Sequence, residues 1–97
     1  MGKFTLAYDL HGVKDRSIYE SINKEILDLK NSVKLLNTTY LITGDYTTAS
    51  VGKWLRNILT RYVALDDVEY IVFKVTERDG WLNSTTIKNM DTVEAAM

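Results

Sequence analysis

Lys3-Phe4-Thr5-Leu6-Ala7-Tyr8-Asp9-Leu10 decides the fold. In an extended chain Phe4, Leu6, Tyr8 and Leu10 point to one side, and Thr5, Ala7 and Asp9 to the other. One side is bulky and apolar; the other is small and ends in a carboxylate. Such a strand asks for cover on one face only, which is how a sheet meets a single layer of helices.

Reading onward, His11-Gly12-Val13-Lys14-Asp15 is a loop in which Gly12 supplies backbone freedom. Ser17 opens a helix, with Glu20 three residues on completing a capping box. Ile18, Tyr19, Ile22, Ile26 and Leu29 form its apolar stripe, with Leu27 off it. Glu20–Lys24 and Lys24–Asp28 are charge pairs on the solvated side, and Asn31-Ser32 ends the helix. Val33 to Thr43 exceeds one typical strand and carries Asn37 in its middle, so it reads as two strands, Val33 to Leu36 and Thr38 to Thr43. After a loop at Gly44-Asp45-Tyr46, Thr47 or Thr48 caps a second helix that extends to Ala64. Val51, Trp54, Leu55, Ile58, Leu59, Tyr62 and Val63 share its apolar arc, and Lys53, Arg56, Asn57, Thr60 and Arg61 fill the other side. A turn at Leu65-Asp66-Asp67 leads to a last strand, Val68 to Thr76.

The order β-α-β-β-α-β predicts an α+β, ferredoxin-like sandwich with a four-stranded antiparallel sheet and two helices on one face. Residues 1–82 form that domain, and 83–97 a tail that either pairs with a sheet edge or stays without fixed structure. The face left open is expected to carry Thr5, Ala7, Asp9, Tyr70, Val72 and Lys74. That mixed apolar and polar character points to a partner, with a second copy of the chain as the first expectation.

Composition narrows the function classes. Lys plus Arg is 12 against 13 for Asp plus Glu, so overall charge does not hold the chain on nucleic acid. Cysteine is absent, which removes disulfides, thiolate zinc sites and cysteine nucleophiles, and the single histidine removes multi-histidine metal sites. No apolar run is long enough to span a membrane, and the first residues carry no signal-peptide core, so a cytoplasmic location is expected.

Several short segments carry a family resemblance. Tyr8-Asp9-Leu10 at a strand end, Arg16 before a helix, Thr38-Thr39-Tyr40-Leu41-Ile42 and the aliphatic strand from Asp67 to Val75 resemble the small CRISPR-associated partner of the spacer integrase. Gly80-Trp81-Leu82 is similar to a tail in short relatives outside CRISPR loci, and the virulence-associated protein D ribonucleases share the strand ending in Asp-Leu. The resemblance implies a homodimer with apposed sheets, Asp9 near the twofold axis, and either metal-dependent cleavage of RNA or DNA or a structural role on DNA.

Two Asp9 carboxylates meeting across such an axis repel unless a cation lies between them. Mg2+ or Mn2+ suits that need, because a hard cation keeps several waters and accepts few protein oxygens. Asp9 is therefore the candidate metal ligand and catalytic residue, and its other reading is a strand terminator. His11 is the candidate proton carrier, or else an exposed loop residue. Arg16, Lys53, Arg56 and Arg61 are candidate phosphate contacts, with Lys14 beside Arg16, or else an ordinary solvated surface. Trp81 either stacks on a base, or closes the edge of the core or packs on a dimer mate.

The functional expectation is a small homodimeric nucleic-acid-processing protein acting as a divalent-metal-dependent endonuclease or endoribonuclease. The alternative is a non-catalytic dimeric protein-interaction module, a scaffold or inhibitor. Small-ligand sensing is a third class, without a glycine-rich signature to support it.

Overall fold

A computed structural model describes residues 2–75 of the chain. The segment Trp81-Leu82 and the 83–97 tail lie outside the described residues. The elements are β1 (Gly2–Leu10), α1 (Arg16–Leu27), β2 (Ser32–Leu36), β3 (Thr39–Gly44), α2 (Thr48–Thr60), a 3-10 turn at Leu65–Asp67, and β4 (Val68–Lys74). The four strands lie in the order β2-β3-β1-β4, antiparallel at every pairing. This is the ferredoxin-like arrangement that the element order predicts.

Phe4, Leu6, Tyr8 and Leu10 of β1 meet Ile22 and Ile26 of α1 and Val51, Leu55, Ile58 and Leu59 of α2 in one buried cluster. Both helices therefore cover the same face of the sheet. Tyr40 and Ile42 of β3 and Val68 of β4 complete the core from neighbouring strands. None of the helices among the described residues is long and apolar enough to cross a membrane.

The local boundaries differ from expectation in three places. The cap of α1 is Asp15, not Ser17: its carboxylate accepts from the backbone N–H of Ser17 and from the Ser17 hydroxyl, so the helix begins at Arg16. Those two hydrogen bonds hold the Asp15 carboxyl below its ordinary pKa. The same helix stops at Leu27, where the Ser32 hydroxyl donates to the carbonyls of Ile26 and Leu29 at 3.1 and 3.0 Å. Asp28 thus lies past the helix, and neither Glu20–Lys24 nor Lys24–Asp28 is among the ion pairs formed by the described residues, which are His11–Glu69 and Arg61–Glu25. Helix α2 stops at Thr60 rather than Ala64, and its start is a full capping box between Thr47 and Ser50. The split of the central segment holds, with the register shifting between Lys34 and Leu36 just before the turn.

The larger correction concerns the faces of β4. Residues paired directly across two strands share a face. Leu6 pairs with Val72, Tyr8 with Tyr70, and Phe4 with Lys74, which puts Tyr70, Val72 and Lys74 on the helix side. Thr5 pairs with Phe73, Ala7 with Ile71, and Asp9 with Glu69, so these residues make the open face. The open face is accordingly more apolar than expected. One row runs Val33, Leu41, Thr5, Phe73, and the next joins Thr39, Ala7 and Ile71. Phe73 is 59% exposed and Ile71 49%, while Leu41 in the same rows is buried at 2%.

Candidate functional site

Strand pairing brings Asp9 to one end of the open face with a neighbour that the sequence reading did not single out. Glu69 of β4 lies directly opposite it. Like charges opposite each other on adjacent strands cost stability unless each carboxylate is compensated. Here each one is. An oxygen of Asp9 accepts from the Leu10 backbone N–H at 2.9 Å, and an oxygen of Glu69 lies 3.1 Å from Nε2 of His11. The loop that carries His11 is anchored where its own N–H donates to the Asp67 carbonyl at 2.8 Å, extending the β1–β4 ladder past Leu10.

The hydrogen bond to Glu69 raises the His11 pKa above 6.5, with the charges of Glu69, Asp9 and Asp67 adding to it. Asp9 and His11 are therefore gathered into one exposed acidic corner together with Glu69. A shallow depression of about 340 Å3 runs from this corner along Ala7 and Ile71. From sequence, Glu69 was recoverable only through its alternation with Ile71 and Phe73, once their face was known.

The donor set suits a hard cation only in part. Asp9 and Glu69 offer oxygens, but no group of three or more His, Cys, Asp or Glu side chains is placed to hold a metal among the described residues. A cation here would keep most of its waters, as Mg2+ does, or draw further oxygens from a phosphate or a second copy.

The four candidate cations are dispersed. Arg16 and Lys14 line a recess with Lys34, a residue paired with Tyr40 and hence on the helix side of the sheet. Lys53 and Arg56 lie on the exposed side of α2, across the sheet from Asp9. Arg61 is engaged: its guanidinium donates to Glu25 of α1, pinning the two helices together. Among the described residues these candidate phosphate contacts thus lie away from the Asp9 corner, on the helix side of the sheet.

Comparison with known proteins identifies the architecture. A crystal structure of Streptococcus pyogenes Cas2 superposes with a TM-score of 0.52 over 73% of this chain and 82% of that one, at 14% identity. The chain shares the Cas2 fold. At that identity the likeness speaks for the arrangement of strands and helices alone. No protein-family model matches the chain, and no curated protein matches it by sequence.

Proposed function

We propose that the chain is a nucleic-acid-processing protein that works as a homodimer, apposing open sheet faces with Asp9 near the twofold axis. The observation that carries this reading is the open face itself, where Phe73 and Ile71 stand exposed in rows that lead to the Asp9–Glu69–His11 corner. Apolar surface of this kind favours association, and the corner supplies charge where the face ends.

In this reading Asp9, with Glu69 beside it, holds Mg2+ or Mn2+, whose contribution when bound is to polarise a phosphodiester and activate water. His11, whose Nε2 lies 3.1 Å from a Glu69 oxygen, is the proton carrier of this reading, placed to donate to a leaving oxygen. Lys53, Arg56 and Arg16 bind phosphates from the other side of the sheet, so they serve strand positioning at a distance from the corner. The substrate is RNA or DNA.

The test combines light-scattering mass with cleavage assays in Mg2+ and in EDTA. A dimer whose cleavage stops in EDTA and in Asp9→Asn, with unchanged circular dichroism, is the expected outcome. Full activity in Asp9→Asn overturns the catalytic role. A second reading, a dimeric scaffold or inhibitor that grips a protein, draws on the apolar β4 edge, where Tyr70, Ile71 and Phe73 are all exposed. Stoichiometric capture of one protein, together with no cleavage under any metal, would favour it.

A further inference from the structure

We propose that the recess between the β1–α1 loop, α1 and the β2–β3 turn binds a phosphomonoester dianion. It lies on the helix side of the sheet as an open recess of about 430 Å3, within the size range of small-ligand sites. Lys14 reaches it from the loop, Arg16 from the first turn of α1, and Lys34 from β2. None of the three has an ion-pair partner among the described residues, where the pairs formed are His11–Glu69 and Arg61–Glu25. Glu20 is the one carboxylate in the lining, which leaves an excess of two positive charges.

The neutral polar lining has the same sense. The Tyr8 hydroxyl donates to Oδ1 of Asn23 at 2.5 Å, and Tyr8 itself is held by stacking on Tyr19 with centroids 6.3 Å apart. That bond occupies the amide oxygen of Asn23 and leaves its NH2 end as the free one. The recess therefore presents ammonium, guanidinium and amide donors, with Glu20 as its one anionic acceptor beside the neutral Tyr19, Asn37 and Thr38. Donors of this kind select oxyanions, and charge-assisted hydrogen bonds give them their strength. A phosphomonoester carries nearly two negative charges at neutral pH, matching the excess, whereas each phosphodiester of a strand carries one.

The carrier of that phosphate is either a free mononucleotide or the 5′ end of a strand. The inference extends the nucleic-acid reading, but it is tested in EDTA, where metal-dependent cleavage is silent, so either can fail alone. Full-length protein is titrated by 1H–15N NMR with inorganic phosphate, adenosine 5′-monophosphate, a short 5′-phosphorylated oligonucleotide and its 5′-hydroxyl twin. Saturable shifts at the backbone amides of Asn23 and Lys34 are expected. The phosphorylated oligonucleotide should bind about tenfold tighter than its twin, as one charge-assisted contact set allows. Saturation by the mononucleotide with no gain for the phosphorylated strand supports the site and assigns it a free nucleotide. Lys34→Gln should lose about tenfold in affinity for the preferred probe, and Lys34→Arg should restore most of it. Absence of saturable shifts with every phosphate-bearing probe overturns the proposal. So does a folded Lys34→Gln with undiminished affinity, or equal affinity for the two oligonucleotides without mononucleotide binding.

Discussion

The two faces of this one sheet are built from the same strands and meet opposite fates. On the helix side Phe4, Leu6, Tyr40 and Ile42 are 0% exposed, whereas across the sheet Phe73 and Ile71 stand 59% and 49% exposed. Removing apolar surface from water is worth roughly 25 cal/mol per Å2 wherever it happens. On the covered face that gain is realised within one chain by α1 and α2. On the open face Leu41 is already buried, but at Phe73 and Ile71 the gain is still to be realised, and an added surface would do so. The Asp9 corner sits at the end of the second face, so chemistry and association share a surface while the fold is held from the other.

The comparison breaks first in the core. Leu6→Ala should cost about 2–5 kcal/mol in urea unfolding, because the tightly packed covered face leaves a cavity. Phe73→Ser on the open face should stay within about 0.5 kcal/mol when measured on monomer. Equal losses at the two positions would mean that the open face is already buried in the folded chain. Next in size is the effect on association: Phe73→Arg should weaken self-association about 100-fold or more, read as dimer mass by light scattering, since it places an unpaired charge among apolar rows. An unaffected dimer would move the interface elsewhere, to the β4 edge or the helices.

The smallest effect sharpens the corner. The His11 pKa is raised, so the His11–Glu69 pair contributes stability in full below the unfolded value near 6.5. That contribution is lost as pH rises through the higher folded value. In Glu69→Gln the imidazole should titrate closer to 6.5 by NMR, since the carboxylate that raises it is gone. An unchanged titration would assign the shift to Asp9 and Asp67 instead.

Much of the architecture is legible in the sequence. The alternation of Lys3 to Leu10, the break at Asn37 and the stripe of α2 are local patterns, and local patterns suffice to order six elements. Helix ends were less legible, because Asp15 and Ser17 are both good caps and geometry chooses between them. Asp9 and His11 lie two residues apart, so sequence alone keeps them close, whereas Glu69 joins them only through pairing of distant strands. Arg61 looked the same as Arg56 on the helix, and the Glu25 that neutralises it comes from another element.

What the chain's own pattern determined was element type and order, together with which side of β1 seeks cover, because those follow from backbone periodicity within a few residues. Tertiary pairing decided the face of β4. Glu69-Tyr70-Ile71-Val72-Phe73 carries apolar residues on both sides, so its alternation is ambiguous, and one residue of register exchanges every side chain. Only the pairing of Leu6 with Val72 and of Thr5 with Phe73 resolves it, leaving Ile71 and Phe73 in solvent and Glu69 beside Asp9.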